Sequence, residues 1–187
     1  MLEVTELDIP EVKLLKPRVF ADNRGYFTET YNKTRFDEKA VPLGFVQDNE
    51  SYSKHKYTVR GLHYQAPPYA QDKLVRVVHG SVLDVAVDVR RGSPTYGKWV
   101  SAELSAENGT QILVPAGFLH GFITLEPDTL VVYKVTALYS AEADGNVHWF
   151  SPELGIDWGV TEDQAVLSDK DAKAPPYSEF ETPFDYS

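Results

Sequence analysis

The chain has 187 residues, enough for one sizeable domain and short for two. It is 42% hydrophobic, 25% charged and 12% aromatic, an ordinary globular composition, and its net charge of −10 argues against a nucleic-acid binder, which needs clustered Lys and Arg. The absence of Cys excludes disulfides and thiolate metal sites, and no apolar run approaches membrane-spanning length. Met1 to Glu6 is acidic and lacks the apolar stretch of a signal peptide, so the cytoplasm is the expected compartment and no membrane partner is expected.

Residues 1–20 alternate weakly around Pro17, as edge strands do. Asp22-Asn23-Arg24-Gly25 is a turn by composition, followed by an alternating run from Tyr26. Asn32 is placed to cap a short helix through Lys39, which Pro42 and Gly44 terminate. Phe45 to Ser53 is a polar strand, suited either to a wet cavity wall or to a solvated outer face. Thr58 to Gln65 reads as a strand interrupted by Gly61, and Lys73 to Val78 as another. Leu83, Val85, Val87 and Val89 make one apolar strand face, with Asp84 and Asp88 on the other. Further strands are expected at Trp99–Leu104, Ile112–Pro115, Phe118–Leu125 and Leu130–Thr136, with Asn108-Gly109 as a hairpin signal.

Strands therefore recur about every ten residues, and helical periodicity is nearly absent. That is the pattern of an all-β antiparallel sandwich or barrel. Residues 140–187 are irregular, with a short helix expected near 162–167, and should pack around the barrel; no repeat or linker divides residues 1–187.

The chemistry gathers around Arg60-Gly61-Leu62-His63. A lone His is usually structural, but Gly within a strand often marks a bulge or a close approach, and Lys73, Arg76 and His120 follow on neighbouring strands. Pro115-Ala116-Gly117-Phe118-Leu119-His120 resembles the second half of a metal-binding cupin. The first half is incomplete: position 65 is Gln where a second His is needed, and Lys73 stands near the place of the Glu. Two histidines beside a cation make a poor first shell, so no metal is expected. Acid–base chemistry remains. Imidazole can take a proton at neutral pH, with Asp84 or Asp171 behind it, Lys73 stabilising an oxyanion and Tyr133 returning a proton from the other face. Strict alternation puts Arg60 and His63 on opposite strand faces, so both serve one ligand only if Gly61 is a bulge or the ligand bends around the strand.

Nine motifs in order resemble the dTDP-4-dehydrorhamnose 3,5-epimerase family. They include Asp22–Glu29, Gln47–Ser51, Arg60–Gln65, Lys73–Arg76, Asp84–Arg90, Pro115–Phe122, Tyr133-Lys134 and Leu167–Asp171. The resemblance implies a cupin-type jelly-roll barrel with short peripheral helices, no metal or organic cofactor, and inversion of C3 and C5 of dTDP-4-dehydro-6-deoxy-D-glucose. It implies His63 as base with Asp171 as its partner, Tyr133 as acid and Lys73 beside the C4 oxygen. Gln47, Asn49, Arg60, His120 and Lys170 would bind the dTDP-sugar, Tyr139 would stack on thymine, and Asp84 and Asp144 complete the expected binding set. Asp144 stands where the family often has Glu, and Lys56–Val59 is bulkier than the family's usual segment there. Arg24 and Glu29 match residues that reach the other subunit's site in a homodimer with exchanged N-terminal strands. The alternatives are a mono-epimerase at C3 or C5, a metal-dependent cupin oxygenase and a non-catalytic sugar-binding module.

Overall fold

A computed structural model of the protein describes residues 2–186. One six-stranded antiparallel sheet runs in the order β1 (Leu2–Glu6), β2 (Lys13–Pro17), β10 (Gln111–Val114), β7 (Lys73–His79), β12 (Thr129–Val135), β5 (Gln47–Ser53). A five-stranded sheet runs β13 (Asp144–Asn146), β6 (Val59–Gln65), β11 (Phe118–Thr124), β8 (Ser81–Asp88), β9 (Trp99–Ser105). A separate ribbon pairs β3 (Val19–Asp22) with β4 (Gly25–Thr28). The architecture is the expected all-β jelly roll. Its short helices are α1 (Lys33–Lys39) and α2 (Asp169–Ala172), with 3-10 turns at Glu162–Gln164 and Tyr177–Glu179. Asn32 does cap α1, accepting a hydrogen bond from the Arg35 backbone N–H.

The two sheets face each other across a core in which Val75, Val77, Ile112, Val114 and Val131 meet Val82, Ala86, Phe118 and Phe122. Each such side chain contributes at most about 1.5–3 kcal/mol on burial. A second apolar layer covers the outer face of the five-stranded sheet. There Val85, Val87, Val89, Leu119 and Ile123 lie under Trp149, Leu154, Trp158 and Phe184 from the irregular C-terminal segment. The valine face of β8 therefore points outward beneath a cover, and the Asp84 face points between the sheets.

Three sequence expectations need correction. Asn108-Gly109 is a turn, but it joins β9 to β10, which lie in different sheets, so it closes no hairpin. β1 is an edge strand, but β2 pairs on both sides, with β1 and β10. The helix expected near 162–167 is a 3-10 turn at Glu162–Gln164, and the helix that matters is α2, too short to leave a periodic signal.

The tension over Arg60 and His63 is settled by register. His63 pairs with His120 and Arg60 with Phe122, so two residues of β6 lie between positions that one residue separates on β11. The extra residue is a bulge at Gly61, whose φ is +142°. Val59, Leu62 and Tyr64 turn to the outer layer, and Arg60 and His63 both turn to the interior cavity. The bulge packs against Gly121: a Cβ on Gly61 would lie 2.5 Å from the Gly121 Cα, and one on Gly121 would lie 2.9 Å from the Arg60 carbonyl oxygen. Gly61→Ala should therefore lower stability by roughly 2–4 kcal/mol and depress activity further than the folded fraction accounts for. Chemical denaturation with activity assayed on the folded fraction checks this; wild-type stability would contradict the packing argument.

Candidate active site

The cavity lies between the sheets and takes side chains from both. A volume of about 520 Å³ is lined by Arg60, His63 and His120 from the five-stranded sheet, Lys73 and Tyr133 from the six-stranded sheet, and Lys170 and Asp171 from α2. An adjoining volume of about 310 Å³ shares His63, Lys73, Tyr133 and Lys170, and adds Gln47, Asn49, Tyr139 and Asp144. Alternation explains the inward residues: Lys73 shares its face of β7 with core residues Val75 and Val77, and Tyr133 packs against the core that holds Val131. The same alternation turns Arg76 away, towards other cavities. The polar strand β5 does both jobs proposed for it. Gln47 and Asn49 line the cavity, and the alternate residues Asp48, Glu50 and Tyr52 are exposed.

Two histidine–carboxylate pairs stand side by side. His63 Nε2 lies 2.6 Å from Asp171 Oδ1, and the Asp171 carboxylate is almost fully buried. Burial alone would push the Asp171 carboxyl up, but hydrogen bonds from His63 and Ser168 outweigh it and hold the carboxyl below its ordinary value. A carboxylate can only accept, so Nε2 is the donating nitrogen, and in the neutral imidazole the lone pair is on Nδ1. Ser168 caps α2: its Oγ accepts from the Asp171 backbone N–H at 3.1 Å and donates to Asp171 Oδ2 at 2.9 Å. Sequence reading did not single out Ser168, although Ser before Asp-Lys-Asp is a helix N-terminus signal.

His120 Nε2 faces both oxygens of Asp84, at 2.9 and 3.0 Å. This corrects two expectations for Asp84. It does not stand behind His63, and at 0% exposure it offers nothing directly to a ligand. It orients His120.

The cations divide by environment. The Arg60 guanidinium donates to Ser53 Oγ at 3.1 Å and the Tyr52 carbonyl at 2.7 Å, which fixes its plane along one wall. Lys170 pairs with Asp144, which also accepts from the Tyr139 hydroxyl at 3.3 Å. Burial lowers Lys73 to about 8, with nearby Lys170 adding to the effect and Asp84 and Asp144 opposing it. Burial likewise raises the Tyr133 phenol above its ordinary value, against the pull of Arg60, so it stays protonated at neutral pH. Among the described residues, no group of three His, Asp or Glu side chains is arranged to hold a metal ion.

This chemistry has counterparts in known proteins. A family model described as dTDP-4-dehydrorhamnose 3,5-epimerase matches residues 6–179. The chain belongs to the dTDP-4-dehydrorhamnose 3,5-epimerase family. It is 56% identical to the dTDP-4-dehydrorhamnose 3,5-epimerase of Sinorhizobium fredii over 180 residues, 96% of this chain and 92% of the relative. It is similar to the Legionella pneumophila dTDP-6-deoxy-D-glucose-3,5-epimerase solved in complex with dTDP-4-keto-L-rhamnose. The identity is 40% and the TM-score 0.93, with both chains fully covered. The Bacillus anthracis 3,5-epimerase solved with TDP and PPi is 49% identical with a TM-score of 0.91, over 94% of this chain and 99% of that one.

Within this epimerase-family chain, two expected site residues stay apart from the cavity. Arg24 pairs with Asp22 at 2.6 Å on the β3–β4 ribbon, and Glu29 pairs with Arg35. Neither lines the volumes that hold His63.

The Lys73 titration gives a stability test. Between pH 8 and 10.5 the unfolded chain holds a proton on this amine that the folded chain has released. The Lys73 contribution to stability therefore rises with pH across that window. Denaturant unfolding of the protein and of Lys73→Met at pH 7.5 and pH 10 should show the advantage of the variant shrinking at the higher pH. A difference that is the same at both would contradict the lowered titration.

Proposed function

We propose that this chain inverts C3 and C5 of dTDP-4-dehydro-6-deoxy-D-glucose, giving dTDP-4-dehydro-L-rhamnose, by proton transfer without a metal or organic cofactor. The carrying observation is that a carboxylate-backed imidazole and a protonated phenol come from opposite sheets and face one cavity.

The C4 ketone acidifies the hydrogens on C3 and C5. Nδ1 of His63 takes one of them, and the imidazolium that forms is stabilised by Asp171. Negative charge moves to the C4 oxygen, where the Lys73 ammonium stabilises it. Tyr133 then delivers a proton to the opposite face of the carbon, which inverts it. His63 gains a proton and Tyr133 loses one, so solvent must reset both before the second carbon reacts. The raised Tyr133 titration suits a donor, because the phenol is not lost to solvent at working pH.

Arg60 and Lys170 supply local positive charge for the diphosphate despite the net charge of −10. His120, oriented by Asp84, binds the sugar; Gln47 and Asn49 bind further polar groups; Tyr139 stacks on the thymine, with Asp144 holding Lys170 and the Tyr139 hydroxyl. Residues 1–187 would act as one jelly-roll domain in the cytoplasm and as a homodimer whose N-terminal strands exchange. Two features support the dimer: Val19, Phe20, Tyr26 and Phe27 expose apolar surface on the ribbon, and Arg24 and Glu29 lie away from the cavity of their own chain.

Turnover of dTDP-4-dehydro-6-deoxy-D-glucose in D2O, followed by NMR of the product, tests the reading. Deuterium at both C3 and C5 is expected. Label at one carbon would mean a mono-epimerase, and no turnover would favour a non-catalytic sugar-binding module. His63→Ala should lower turnover about 10²- to 10⁴-fold, and full turnover in that variant would remove His63 as the base. Because Lys73 titrates at about 8, kcat/KM should fall on the alkaline side with a midpoint near that pH.

A further inference from the structure

Tyr139 presents a difficulty as a stacking platform. The residue is 60% exposed and sits in an irregular segment after β12, where an aromatic would normally sweep through many orientations. Ordering it on binding would subtract from affinity.

The backbone around it is nevertheless held at nearly every step. Thr136 N–H donates to the Asp72 carbonyl at 3.2 Å. Gln71 Nε2 donates to the Ala137 carbonyl at 2.8 Å. Gln65 Nε2 donates to the Leu138 carbonyl at 3.2 Å, and Gln65 Oε1 accepts from the Ser140 N–H at 2.8 Å. The Tyr139 N–H itself donates to Gln47 Oε1 at 3.2 Å. Three glutamines from three places thus grip four consecutive residues, Ala137 to Ser140. Gln47 opens β5 in one sheet, Gln65 closes β6 in the other, and Gln71 lies in the loop before β7.

Gln65 is the centre of this arrangement. It is 5% exposed, brackets Tyr139 on both sides, and uses its remaining amide hydrogen on the Tyr69 carbonyl at 2.7 Å. A buried amide supplies donor and acceptor together, and it carries no charge that pH could change. A histidine or carboxylate at position 65 could not make this set of bonds at all pH values.

We propose that Gln65 is a positioning residue: with Gln47 and Gln71 it fixes the 136–140 loop so that the Tyr139 ring stands ready for the nucleobase before the ligand arrives. The inference rests on reading Tyr139 as the residue that stacks on the base. It assigns a reason to the Gln that occupies a metal-ligand place in other cupins.

The test uses Gln65→Met, which keeps the length of the side chain and removes all three bonds, with thymidine diphosphate and inorganic pyrophosphate as calorimetric probes. Thymidine diphosphate should bind about tenfold more weakly, with KM rising in parallel and kcat within about twofold of wild type. Pyrophosphate, which has no base, should bind as before. Tyr139→Ala should weaken thymidine diphosphate at least as much, and adding Gln65→Met to it should cost nothing more. If Tyr139→Ala leaves the affinity unchanged, the stacking reading falls and the inference with it. If Tyr139→Ala weakens binding but Gln65→Met does not, or if the two losses add, the positioning role alone is overturned. Should Gln65→Met fail to fold, Gln71→Met carries the same comparison: selective loss of thymidine diphosphate supports the inference, and equal affinity overturns it.

Discussion

The site depends on two glycines in contact. Gly61 and Gly121 bring β6 and β11 so close that neither tolerates a Cβ without displacing backbone. The extra residue accommodated there changes which side chains of β6 face inward. Without it, Arg60 and His63 would point to opposite faces of the sheet, and the cation and the imidazole could not share a ligand. The same register sets His63 directly across from His120, so the two histidine–carboxylate pairs stand next to each other. Backbone packing with no chemistry of its own thus decides the chemistry of the cavity.

The two-sheet architecture then divides the labour. The five-stranded sheet supplies both imidazoles and Arg60, and the six-stranded sheet supplies Lys73 and Tyr133. In the proposed reaction a planar enolate between the sheets would have a base on one side and a donor on the other, which is what inversion requires. Electrostatics follows the same logic at short range. The chain is acidic overall, yet three carboxylates at the cavity are engaged: Asp171 by His63, Asp84 by His120 and Asp144 by Lys170. Arg60, Lys73 and Lys170 line the same cavity and give it local positive charge. Net charge describes the whole surface, whereas a cleft answers to the few groups that line it.

Much of this was legible in the sequence. Strand spacing and the scarcity of helical periodicity identified the fold class, and alternation separated the valine face of β8 from Asp84 and Asp88. The capped helix after Asn32 was legible because its signals are local. The errors share one cause, which is that a sequence records local geometry and not the partner. Asn108-Gly109 marks a chain reversal equally well whether the flanking strands pair or separate into two sheets. The valine face of β8 was visible, but its cover of Trp149 and Trp158 comes from a segment without periodicity. The choice between Asp84 and Asp171 as the support for His63 could not be made locally, because the true partner is 108 residues away. Gln65 was noticed only as a missing metal ligand; its hydrogen bonds all go to loop backbone, and no side-chain pattern announces those.

The central claim is that His63 and Tyr133 act in sequence on opposite faces of one carbon. The most direct measurement incubates Tyr133→Phe with dTDP-4-dehydro-6-deoxy-D-glucose in D2O and compares deuterium wash-in with product formation. If His63 removes the proton unaided and Tyr133 acts afterwards, the variant should still exchange substrate hydrogen for deuterium while epimerised product falls by about a hundredfold or more. Loss of exchange and turnover by the same factor would contradict that order and the division of roles between the two sheets.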